Sequence, residues 1–94
     1  MAEIPEKNIN ELIQEILKNG SIIFGDHARE RMSERNYTFA DVKYILKNGS
    51  LKEETIYKGQ TRYTFCGNDL DDDPGEVIIE LRESTNKIII ITVQ

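Results

Sequence analysis

Cysteine is almost missing from this chain: Cys66 is the only one among 94 residues. One thiol cannot close an internal disulfide, and small secreted domains usually carry several, so a disulfide-stapled extracellular scaffold is excluded. A lone thiol fits a reducing cytoplasm, which is the location expected. Long apolar runs are also missing. The longest, Ile88 to Ile91, is far too short to span a bilayer, so no membrane role is expected. The opening residues, Met1 to Glu6, show neither a basic nor an apolar stretch, and no signal peptide is expected. An excess of basic charge is lacking too. The formal net charge is −5, which argues against a strongly basic nucleic-acid binder.

That imbalance is local. Asp69, Asp71, Asp72, Asp73 and Glu76 fall in one segment with no Lys or Arg, and they equal the whole excess of acid. Elsewhere the charges cancel, so basic patches can still form, while the acidic segment can repel nucleic acid or attract a basic partner. It lacks the glycine and glutamate positions of an EF-hand, and a solvated turn is the simpler reading. Cys66 has no CxxC partner, and the single histidine is distant in sequence, so neither a zinc site nor a catalytic thiol is expected.

A chain of this length makes one domain, taken as residues 1–94, with a thin core best built as helices on a sheet. Residues 8–19 read as a first helix, because Ile9, Leu12, Ile13, Ile16 and Leu17 share one face, with Asn8 as N-cap and Gly20 beyond the end. Ser21 to Phe24 is a short apolar run, either an edge strand or a packed linker. Residues 27–35 read as a second helix capped by Asp26, its apolar stripe only Ala28 and Met32. Residues 38–48 form a third. Thr38 and Asp41 make a capping-box-like pair, Tyr37 and Val42 a hydrophobic staple, and Gly49 ends the helix. From 51 to 93 the pattern changes to strands. Gly59 marks a hairpin tip, Pro74-Gly75 closes the acidic loop, and the isoleucine run suggests a last strand buried on both faces. The expected fold is α+β, with N-terminal helices on one face of a three- to four-stranded antiparallel sheet.

Two clusters can carry chemistry. At roughly 100° per residue, His27, Arg31 and Arg35 line up on the second helix beside its apolar stripe. One imidazole and two guanidiniums at a core edge can grip a phosphate and move a proton. Glu30 and Glu34 lie within reach of the same stripe, so simple charge pairing on a solvated face is the alternative. The second cluster is the hairpin with Tyr57, Lys58, Gln60, Arg62 and Tyr63. A sheet edge with such residues can bind backbone phosphate and stack a base, or these can be ordinary strand residues that keep an edge soluble.

The stretch His27-Ala28-Arg29-Glu30-Arg31-Met32-Ser33-Glu34-Arg35 resembles a signature, His-Ala-x-x-Arg-Met-x-x-Arg, found in small bacterial proteins of undefined function. Phe39 to Leu46, then Lys47-Asn48-Gly49 and strands with aromatic and basic residues, extend the likeness over about Ile22 to Val93. That family is similar to the RelE, BrnT and MqsR group of toxins. The resemblance implies an mRNA endoribonuclease that needs no metal or other cofactor, working on free RNA or at the ribosome. It implies His27 as the proton-transfer group and Arg31, Arg35 and Arg62 as phosphate holders. Tyr63 would stack a base or donate a proton, and Lys58, Gln60 and Tyr57 would contact RNA. It also implies a cognate antitoxin protein, in one branch zinc-binding. The acidic net charge departs from the many basic members of that group. The competing class is a non-catalytic module that binds a protein through its sheet edge and acidic loop.

Overall fold

The computed structural model describes residues 9–94, apart from the side chain of Glu83. The order is α1 (Ile9–Asn19), β1 (Ser21–Phe24), α2 (Asp26–Arg35), α3 (Phe39–Asn48), β2 (Ser50–Tyr57), β3 (Gln60–Asn68), β4 (Pro74–Arg82), a short 3-10 turn at Glu83–Thr85, and β5 (Lys87–Val93). One sheet holds five strands in the order β1-β5-β4-β3-β2.

The α+β class agrees with the sequence, but the sheet has five strands and is mixed rather than antiparallel with three or four. The added strand is β1, which pairs parallel with β5, Ser21 opposite Lys87 and Phe24 opposite Ile90. Parallel strands need a long connection, and α2, α3 and the other strands supply it. Since β5 lies between β1 and β4, its isoleucines are inside the sheet. Burial nevertheless alternates: Ile88, Ile90 and Val93 are buried, while Ile89 and Ile91 are half-buried. Only one face of the sheet is roofed, which corrects the expectation of a strand buried on both.

The roof is the helix layer. Ile13 and Ile16 of α1, Ala28 and Met32 of α2, and Val42, Ile45 and Leu46 of α3 join Phe65, Val77, Ile79, Ile88, Ile90 and Val93 in one core. The opposite face carries Arg62, Thr64, Ile78, Glu80 and Ile89, and no helix among the described residues covers it. A register shift between Ile78 and Ile79 lets β4 stay paired with β5 while both keep their core residues inward.

Local chemistry sets the boundaries. Thr38 accepts from the Asp41 N–H, and Asp41 accepts from the Thr38 N–H at 2.9 Å, so the capping box forms. Tyr37 and Val42, the staple positions, are both buried. The N-cap of α2 is Gly25, without a side-chain bond, and Asp26 is the first helical residue rather than the cap. The proposed cap Asn8 lies outside the described residues. At the β2–β3 hairpin Lys58 (φ 51°) and Gly59 (φ 81°) both take positive φ, the requirement of the turn whose twist suits a tight hairpin. The acidic loop between β3 and β4 is ordered by Asp69, whose Oδ1 accepts from the N–H groups of Asp71 and Asp73, and by Asp41, which accepts from the Leu70 N–H. Among the described residues no helix is long and apolar enough to cross a membrane.

Candidate functional site: the open face of the sheet

The hairpin cluster assembles on the open face. Thr55 pairs with Arg62 and Tyr57 with Gln60, so Tyr57 and Arg62 are diagonal neighbours on one side. The Arg62 guanidinium lies 4.2 Å from the centre of the Tyr57 ring, and the Lys58 ammonium lies 5.3 Å from it. Arg62 also pairs across the sheet with Glu80 and donates to it at 2.9 Å. Arg82, one pleat further along β4, donates to the other Glu80 oxygen at 2.9 Å and to Gln60 Oε1 at 3.1 Å.

Glu80 is thus clasped by two arginines and left only 6 % exposed on an otherwise open face. Burial alone would push its carboxyl up, but the hydrogen bonds and charges of Arg62 and Arg82 outweigh it and hold the group below its ordinary range. It is ionised at neutral pH. Neither Glu80 nor Arg82 was singled out from the sequence. Their signal is visible only once β4 is registered against β3.

From Arg62 a shallow trough of about 430 Å³ runs along the face past Thr64 and Ile78 to Glu76 and Gln94. A second depression of about 540 Å³ begins at those same two residues and reaches Arg35. The cationic stripe of α2 ends there. Arg31 donates to the Val93 carbonyl at 3.4 Å and sits 3.7 Å from Glu34, and the Arg35 guanidinium lies 5.3 Å from the Tyr37 ring centre. Glu76, which separates the two depressions, is neutralised by an ion pair with Lys52. His27 stands exposed in the first turn of α2, on the stripe of Arg31 and Arg35.

The two clusters are therefore not one compact centre. Arg62 borders one depression and Arg35 the other, the two meet at Glu76 and Gln94, and Arg62 lies four positions along β3 from Cys66, or about 13 Å; His27 and Arg31 line neither. Tyr63 belongs to neither. Strand alternation turns it to the helix side, where it packs against the core.

A mixed sheet roofed on one side, with an arginine-bordered trough on the other, defines a small α+β domain with a shallow surface site. The chain belongs to a family described as a domain of unknown function, DUF4258, which matches residues 24–94. The match leaves out α1 and nearly all of β1. No curated protein and no solved structure gives a significant match.

Proposed function

We propose that this chain is the toxin of a bacterial toxin–antitoxin pair and cleaves RNA without a metal ion. The observation that carries the reading is the pair of adjoining depressions with Arg62 and the Tyr57 ring in one and Arg35 in the other. A single strand laid along them would stack a base at Tyr57, place backbone phosphate against Arg62, meet Arg35 in the second depression, and reach Arg31 only by continuing along α2. Lys58 and Gln60 flank the strand at the hairpin. Tyr57 takes the stacking role that the resemblance gives to Tyr63.

The reaction is attack by a ribose 2′-oxygen on the adjacent phosphorus, with departure of the 5′-oxygen. A base removes the 2′-proton, an acid protonates the leaving oxygen, and the guanidiniums offset the charge gathering on the phosphoryl oxygens. His27 is the assigned proton-transfer group, so the phosphate cleaved is the one held by Arg31, one turn along the same α2 stripe, with Arg35 beyond it, while Arg62 holds another phosphate of the strand. The products are a 2′,3′-cyclic phosphate and a 5′-hydroxyl. The resemblance to toxins, together with this face, supports the reading; the cognate antitoxin is its expected partner.

The test is tightly controlled induction in a bacterial host, wild type beside His27→Ala and Arg62→Ala at equal soluble expression, with purified protein incubated with RNA in chelator. Growth arrest and cyclic-phosphate ends from the wild type alone support the reading. Normal growth and intact RNA in all three overturn it and favour the non-catalytic binding module.

A further inference from the structure

Six large apolar side chains stand most exposed among the described residues: Ile23, Phe39, Tyr44, Ile56, Tyr57 and Leu70. Two belong to the hairpin arm. The other four, Ile23 at 42 %, Phe39 at 57 %, Tyr44 at 41 % and Leu70 at 54 %, lie on the helix side of the molecule, away from the open face. They line two adjoining depressions of about 460 and 440 Å³ that share Leu17 and Lys43. Together these make one groove between α1 and α3, running from the acidic loop at Leu70 to the free edge of β1.

The charge of that groove opposes the charge of the chain. Lys18, Lys43, Lys47 and Arg29 line it and, among the described residues, no acidic side chain does, although acids outnumber bases 17 to 12 overall. Four basic residues elsewhere are engaged in local pairs: Lys52 with Glu76, Arg31 with Glu34, Arg62 and Arg82 with Glu80. Among the described residues Lys18, Lys43 and Lys47 make no ion pair. Ala40, Lys43, Tyr44 and Lys47 follow i, i+3, i+4, i+7 spacing, so one stripe of α3 offers an apolar centre with lysines beside it. Phe39 stacks on Phe24 with ring centres 4.4 Å apart, which holds an apolar wall in place at the far end.

We propose that this groove docks an acidic, amphipathic helical segment of a partner protein. A trough between two helices accepts a third helix through interdigitated side chains, with anchors at i, i+3, i+4 and i+7. Apolar anchors of the partner would seat against Leu17, Tyr44 and Phe39, and its flanking carboxylates would meet Lys18, Lys43 and Lys47. Nucleic acid is less well served, because the floor is apolar and the phosphate-binding cations sit at the rim. The α1 wall lies outside the residues that the family model matches, and the α3 wall lies within them. The inference does not depend on RNA cleavage.

The probe is a fluorescent helical peptide of about five turns, with leucines on one face and glutamates elsewhere, titrated against the full chain by polarisation. Saturable binding is expected, weakened about tenfold or more by the double charge reversal Lys43→Glu/Lys47→Glu and by Tyr44→Ala. A scrambled peptide of the same composition should bind at least about tenfold more weakly, because its leucines no longer share a face. Circular dichroism checks that the variants, all at exposed positions, keep the fold. Equal binding of the scrambled peptide, or binding indifferent to the charge reversal, overturns the proposal. So does a failure of the peptide to bind while single-stranded RNA does bind and is lost on charge reversal, which would assign the groove to nucleic acid. Self-association of the chain abolished by the same reversal, with no peptide binding, would assign it to a second copy and also overturn it. None of these outcomes reads RNA integrity, so failure here is separable from failure of the nuclease reading.

Discussion

The carboxylate of Glu80 is held by Arg62 from the neighbouring strand at 2.9 Å, on the face of the sheet that no helix among the described residues covers. A carboxylate that is 6 % exposed there is an arginine-positioning group, because its two oxygens fix the forks of Arg62 and Arg82. Replacing Glu80 with Gln should leave two guanidiniums facing each other without their counter-charge. The expected loss is about 1–2 kcal/mol, since Arg62 and Arg82 are partly solvated and water screens part of the effect. Urea unfolding measures it. RNA binding, on the proposed function, should change in the same variant; stability loss with unaltered RNA affinity would show that the forks need no positioning.

Acid should weaken the fold through the same residue and through Asp41. The Thr38 N–H is the main cause that holds the Asp41 carboxyl low, with the Leu70 N–H and the Thr38 hydroxyl adding to it against burial. Both groups have folded values below their ordinary ones, 3.8 for Asp41 and 4.5 for Glu80. Their stabilisation is therefore complete above those ordinary values and is lost as pH falls through the lower folded values. Thermal midpoints should be flat from neutrality down to about pH 5 and fall below it. An Asp41→Asn variant should start lower and fall less steeply, and a slope equal to the wild type's would remove Asp41 from the account.

Asp41 also joins two elements. It caps α3 through Thr38 and receives the Leu70 N–H from the acidic loop. Asp41→Ala should cost about 1–2 kcal/mol, combining a lost cap with a part-buried N–H that loses its partner. Amide exchange at Leu70 should rise more than at Ile45, which is inside α3; equal changes at both would mean that the loop is not tied down by this contact.

How much of this was open to sequence reasoning differs from element to element. The capping box at Thr38 and Asp41 and the tip at Lys58-Gly59 were legible because caps and tight turns are local and need particular residue types. The pairing of β1 with β5 was not, since Ser21–Phe24 is too short to show a period and its partner lies near the other end of the chain. The reading of Ser21–Phe24 as an edge strand or a linker leaves it out of the strand count and without a partner, so the expected sheet is one strand or more short and wholly antiparallel. The cationic stripe of α2 could be placed on one face by helical spacing. Its distance from Arg62 could not, because it depends on which strand α2 covers and on the β3–β4 register. Glu80 reads as one more strand residue until that register puts Arg62 opposite it.

Gly75 supplies the last prediction. A Cβ built there would come within 1.9 Å of the Tyr37 hydroxyl oxygen and 3.1 Å of the ring carbon that bears it. That hydroxyl is buried, and among the described residues no hydrogen bond of sound geometry reaches it. Burial also pushes the phenol's pKa up, against the opposing charge of Arg35. Gly75→Ala should therefore cost about 1–3 kcal/mol by overpacking. Tyr37→Phe removes an unpaired buried oxygen and should be neutral or mildly stabilising. The two changes should not add. In the double variant the methyl meets a ring edge with no oxygen on it, and about half or more of the alanine's cost should return, as expected for residues in direct contact. Strict additivity in urea unfolding would mean that the alanine strains something other than Tyr37, the nearest alternative being Ile45, whose terminal methyl lies 3.2 Å from the same point.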